Sequence, residues 1–174
     1  MESKNKIKLT KEQASILNDL YSNDELKIEQ SIIKLREKGG VYSIEPLMNV
    51  YFNTSFSGIR KSIGNLFSDT KDYKVAEIIY NNLSKYGESE YLGDFLSTLW
   101  QSSIKFDNLQ IFTELFILSD DKTAFECVTI IEQNTDHNNE EAKNICIDIL
   151  KSNIAQLKGF KKDLALQLLD LLSK

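Results

Sequence analysis

Ile59-Arg60-Lys61-Ser62-Ile63-Gly64-Asn65-Leu66 sets three apolar side chains, Ile59, Ile63 and Leu66, at i, i+4 and i+7, the spacing of one helix face. The same triplet recurs in both directions. Ile28, Ile32 and Leu35 precede it; Leu92, Leu96 and Leu99, then Ala124, Val128 and Ile131, then Leu164, Leu168 and Leu171 follow. The first members of successive triplets lie 31, 33, 32 and 40 residues apart. A period in that range predicts helical hairpins stacked on one another, not a globule around one central core. The expected architecture is all-α, a right-handed α-α superhelix (α-solenoid) of about five antiparallel helical hairpins. The expectation is a single repeat domain over residues 1–174, with repeats near 10–39, 40–69, 70–102, 104–135 and 139–174.

Composition agrees with a packed helical protein. Of 174 residues, 41% are apolar and 10% aromatic, enough to bury a sizeable interior, while 27% charged residues and a mean hydropathy of −0.31 suit a soluble chain. One proline and seven glycines leave long stretches without helix breakers. The formal net charge of −5 gives a field that repels polyanions, so a nucleic-acid partner is not expected. No apolar run is long enough to span a bilayer, and Lys4, Lys6 and Lys8 around Ile7 lack the apolar core of a signal peptide. A cytoplasmic location and no membrane contact are the expectation. Cys127 and Cys146 fall at helical core positions and are expected as buried free thiols.

Local signals punctuate the period. Thr10 with Gln13 is a capping-box pattern, and Asn23-Asp24-Glu25 offers a cap for the next helix. That helix should end at Gly39-Gly40 through a left-handed exit. Pro46 sits about a turn inside the following helix, where its missing N–H costs little. Gly87 breaks the third hairpin, Ser119-Asp120-Asp121 caps within the fourth, and the polar run Asn134 to Asn139 reads as its solvated exit. A helix from about Glu140 to Ile154 leads through Gly159 to the last triplet.

Ile44-Glu45-Pro46-Leu47 through Ile59-Arg60-Lys61-Ser62-Ile63-Gly64-Asn65-Leu66 resembles the HEAT repeat in its short bacterial form. Pro46, Ile59, Arg60, Ser62, Ile63, Gly64 and Leu66 occupy the places of the family's early proline and of its second-helix markers. The other repeats keep the apolar framework but carry Glu29, Gly93, Phe125 and Ala165 where Arg60 stands. The resemblance implies a helical-repeat protein that presents an extended surface to a partner.

Residues that could carry chemistry are sparse. His137, the only histidine, sits in Thr135-Asp136-His137-Asn138-Asn139-Glu140, which lacks the further ligands of a zinc site and the glycine and alternating carboxylates of a calcium loop. Neither cysteine has a nearby histidine, and no nucleophile elbow or glycine-rich phosphate loop occurs. The acidic pairs Glu88 and Glu90, Asp120 and Asp121, and Glu140 and Glu141 read as helix-start residues favoured by the macrodipole. No catalytic residue, metal or cofactor is expected.

What remains is surface. Trp100 continues an apolar stripe and reads as core, whereas Tyr51, Tyr80, Tyr86 and Tyr91 fall at helix ends or stripe edges, where a partner-binding surface uses half-exposed aromatics. Opposite the triplets, the second helices would present Gln30 and Lys34, Lys61 and Asn65, Asp94 and Thr98, Glu126 and Ile130, and Leu166 and Asp170. This ridge runs from basic to acidic and suits a protein segment of complementary charge. Leu166 stands where a polar residue is expected and points to a further contact of the last helix. The expected function is a non-enzymatic protein-interaction or scaffold module, a monomer or weak homo-oligomer. One alternative is a HEAT-like DNA-acting enzyme resembling the alkylpurine DNA glycosylases; the acidic balance and the change from Lys61 to Asp94 oppose it. The other is a small acidic inhibitory or immunity-type protein that complements a basic partner.

Overall fold

A computed structural model of the chain describes residues 8–174; Lys4, Lys6 and Ile7 of the amino-terminal reading lie outside the described residues. Among the described residues there are ten α-helices and no strand. They are α1 (Lys11–Leu20), α2 (Glu25–Lys38), α3 (Val41–Asn53), α4 (Ser57–Ser68), α5 (Val75–Leu83), α6 (Leu92–Trp100), α7 (Gln110–Leu118), α8 (Asp121–Asn134), α9 (Glu140–Asn153) and α10 (Gly159–Leu172). The chain divides into two compact units, Met1–Leu66 and Phe67–Lys174.

In the first unit α1 packs on α2 and on α3. The capping box that opens α1 is complete: the Gln13 N–H donates to Thr10 Oγ1 at 3.1 Å, and the Thr10 N–H to Gln13 Oε1 at 2.9 Å. Asp24 caps α2 by accepting from the Leu26 N–H at 3.0 Å. The end of α2 differs from expectation. Gly39 is extended (φ −69°, ψ −179°), not left-handed. A Cβ there would lie 2.2 Å from the Leu35 carbonyl oxygen, so close approach is what calls for glycine. Pro46 lies beyond the four N–H groups that any helix start leaves unpaired, so α3 forfeits one internal bond at that point.

Ile28, Ile32, Leu35, Ile59 and Ile63 are buried. Polar side chains then fix the helices to one another. Ser31 Oγ, itself buried, donates to the Ile16 carbonyl at 2.7 Å and ties α2 to α1; Ser62 Oγ donates to the Glu29 carboxylate at 3.0 Å and ties α4 to α2. Arg60 donates through Nε to the Tyr51 carbonyl at 3.1 Å and through Nη2 to that of Thr54, clamping the carboxyl end of α3 to α4.

In the second unit, α7 packs on α8, and the helices also pack by alternation: α7 on α9, α6 on α8, and α8 on α10. Leu92, Leu96, Leu99, Ala124, Val128, Ile131, Leu164 and Leu168 are all buried, while Leu171 is half-buried. Aromatic rings meet edge to face between them, Phe67 with Phe95 at 5.0 Å and Phe106 with Phe112 at 4.8 Å. Because α6, α7 and α10 all lie against α8, that helix buries more than one stripe, with Cys127 and Ile130 also inaccessible.

The run Asn134 to Asn139 is not the solvated exit its composition suggests. Asn134, Thr135 and Asn138 are buried, whereas His137 is exposed. The Phe106 N–H donates to Asn134 Oδ1 at 3.0 Å, and Asn138 Nδ2 donates to the Phe106 carbonyl at 2.9 Å. These amides pin the connection into α7 against the end of α8. Asn139 caps α9, accepting from the Ala142 N–H at 2.9 Å.

Candidate functional site

The ten ridge positions meet different fates. In the first unit Gln30, Lys34, Lys61 and Asn65 are all exposed. In the second unit the ridge is largely engaged within the fold. Asp94 accepts from Lys122 Nζ at 2.6 Å, bridging α6 and α8, and this bond holds the ammonium above its ordinary pKa. Both side chains are more than half exposed, so the bridge contributes little stability. Glu126 accepts from Trp100 Nε1 at 2.6 Å, a second tie between the same two helices. Thr98 bonds its own helix through the Phe95 carbonyl at 2.7 Å, and Asp170 accepts from Lys174 at 2.7 Å.

Ile130 does not belong to any surface. It is 0% exposed, because the packing of three helices around α8 covers a stripe that would otherwise face solvent. Leu166 is 52% exposed on α10, and Phe125, in the position corresponding to Arg60, is 51% exposed on α8. Among the aromatics, Tyr51 is buried rather than half-exposed; Tyr80, Tyr86 and Tyr91 are half-buried. Trp100 is half-buried as well, with its N–H held by Glu126.

Both cysteines are free and buried. Burial pushes both thiols up, away from the thiolate that nucleophilic chemistry needs. Among the described residues no three of His, Cys, Asp and Glu come together closely enough to hold a metal ion.

Two open grooves lie in the second unit. One, of about 660 Å³, runs between α5 and the connection into α7; its charges balance, Lys74 and Lys105 against Glu77 and Asp107. Tyr80 on its wall is held above the ordinary tyrosine pKa, chiefly by burial. The other, of about 750 Å³, lies between the Ser84–Glu90 connection and the corner joining α7 to α8. Four carboxylates line it, those of Glu88, Glu90, Glu114 and Asp120, against the single ammonium of Lys85. Asp120 caps α8, accepting from the Thr123 N–H at 2.8 Å, and this bond lowers its pKa. Glu88 and Glu90 do no such work: Tyr91 precedes α6, and that helix start has no side-chain cap.

This groove was not legible in the chain. Its acidic residues come from two separate helix pairs, and its apolar wall uses Leu118, whose 82% exposure contradicts the usual fate of a leucine. The available hint is Glu114, the one charged residue between Leu109 and Leu118.

Comparison with protein-family models, with curated proteins and with solved structures finds no match for this chain. Among the described residues, no helix is long and apolar enough to cross a membrane.

Proposed function

We infer that this chain is a non-enzymatic protein-interaction module, a short HEAT-like right-handed superhelix of antiparallel hairpins acting in the cytoplasm without a cofactor. The observation that carries this reading is the alternating packing of the second unit, α6 with α8, α8 with α10 and α7 with α9. Packing of that kind builds rows of like helices, and a row offers extended surface to a partner. Phe125 and Leu166 support it further, as half-exposed apolar side chains on two helices, α8 and α10, that pack together.

The test is chemical crosslinking of the tagged full chain in its native cells, followed by mass spectrometry. One protein should be enriched over the untagged control, and Phe125→Ser with Leu166→Ser should abolish the enrichment while leaving the helical circular dichroism unchanged. Absence of any enriched protein overturns the reading, as does salt-sensitive retardation of duplex DNA by the chain.

A further inference from the structure

The groove between the Ser84–Glu90 connection and the α7–α8 corner has two properties that the fold itself does not use. Its charge is one-sided. Lys85, the one cation among its lining residues, donates to Asn82 Oδ1, and Asp120 is taken up by capping. Glu114 accepts from Gln110 Nε2 at 2.7 Å, a neutral partner that leaves its charge uncompensated. Glu88, Glu90 and Glu114 therefore line one opening whose single lining cation, Lys85, is bonded to Asn82, while the Lys161 ammonium at the corner is taken up by the Ile117 and Ser119 carbonyls. Such a field attracts cations and repels phosphate chains.

The groove is also apolar at one side. Leu115 and Ile111 line it, and Leu118 stands 82% exposed at its margin. An isolated exposed leucine needs no explanation, but one set in a groove of this size beside the half-buried Ile111 is an anchor surface.

We propose that this groove docks a basic segment of a partner protein. An apolar side chain of that segment seats against Ile111 and Leu118, and flanking Lys or Arg side chains face Glu88, Glu90 and Glu114. The proposal rests on the protein-interaction reading above and adds to the Phe125 and Leu166 surface a second contact with a stated partner chemistry. A simple divalent cation fits less well, since no three ligating side chains among the described residues converge. A volume of about 750 Å³ accommodates a few side chains, not a folded domain, so the occupant is an extended or single-turn segment.

The probe is a fluorescein-labelled dodecapeptide of repeated Lys-Leu-Arg-Leu units, with a Glu-for-Lys and Glu-for-Arg counterpart as control. Titrated into the full chain, the basic peptide should bind saturably and shift backbone amide resonances of 84–90 and 111–123. Its affinity should fall with salt and drop about tenfold in the Glu88→Gln, Glu90→Gln, Glu114→Gln variant, and again in Leu118→Ser. Exposed or partly exposed side chains are changed in each, so the folded circular dichroism spectrum should persist. Binding that survives the triple substitution, shifts centred elsewhere, or no binding overturns the proposal. Self-association abolished by the same substitutions would assign the groove to a second copy and overturn it too. If a cellular partner binds the triple variant as well as the unaltered chain, the groove assignment fails and the interaction reading stands. If no cellular partner exists while the peptide still occupies the groove, the interaction reading is the one that fails.

Discussion

The corner between α3 and α4 and the corner between α8 and the connection into α7 have the same task, holding a helix end against its neighbour, and they do it with opposite chemistry. At the first, Arg60, half-buried, reaches the carbonyls of Tyr51 and Thr54. At the second, Asn134 and Asn138 hold both the N–H and the carbonyl of Phe106, and both asparagines are under 10% exposed. The difference follows from solvent. A guanidinium keeps part of its hydration at an open corner, whereas the same charge in a closed one would be left with a large desolvation penalty. Neutral amides can be enclosed because each donor and acceptor is small and directional. Where Arg60 stands, α8 carries the exposed Phe125, and its clamp is built at the other end of the helix.

If the apolar framework is what the two regions share, it should fail alike in both. Ile63→Asp in α4 and Ile131→Asp in α8 each place a carboxylate where the native side chain is 0% exposed. Each is expected to cost about 4 kcal/mol or more, which is comparable to the whole stability of a small domain. Loss of the helical circular dichroism signal at 25 °C, or a urea midpoint too low to measure, is the expected result. Native-like unfolding of either variant would break the claim that both regions hang on the same triplet.

The clamps, by contrast, should separate. Asn134→Ala strands the buried Phe106 N–H and is expected to lower stability by about 2–3 kcal/mol in urea unfolding. Arg60→Ala opens a corner that water can reach, so its cost should be nearer 1 kcal/mol, and Arg60→Lys should recover only part of it because one ammonium cannot reproduce the guanidinium fork. Equal costs, or the reverse order, would show that enclosure is not what sets the choice of side chain.

The same contrast explains what can be read in the chain and what cannot. The triplets are legible because a period of 31 to 33 residues repeats a pattern that only helix packing satisfies. The caps at Thr10, Asp24, Asp120 and Asn139 are legible because each side chain bonds an N–H two or three residues ahead, a purely local event. The burial of Asn134, Asn138 and Ile130 depends on which helix or connection lies over them, and polarity or spacing within one helix does not carry that information. Glu88 and Glu90 show the same limit. Acidic residues before a helix look like caps, but α6 starts at Leu92 with Tyr91 at its cap position, and Glu88 and Glu90 line a groove whose other wall is more than twenty residues away.

The smallest effect sharpens the comparison within the second region alone, where α8 starts with an exposed charge and ends in buried amides. Asp120 accepts from the Thr123 N–H, and its carboxyl is held below its ordinary value of 3.8 chiefly by that bond. A depressed carboxylate pKa means that the folded chain binds the proton less readily than the unfolded one. Its contribution is therefore complete above pH 3.8 and disappears as the pH falls below that value and through the lowered one. Asp120→Ala should cost about 1 kcal/mol at pH 7, the usual worth of an N-cap, and the cost should shrink in the acid range. No titratable side chain takes part in the Asn134 bonds to Phe106 and Ile130, so the cost of Asn134→Ala should stay level across the same range. Urea unfolding of both variants against the unaltered chain at pH 7 and at pH 3 compares them directly. An Asp120→Ala deficit that does not shrink in acid would mean that the start of α8 is held by packing and not by its charge, making the two ends of the helix alike.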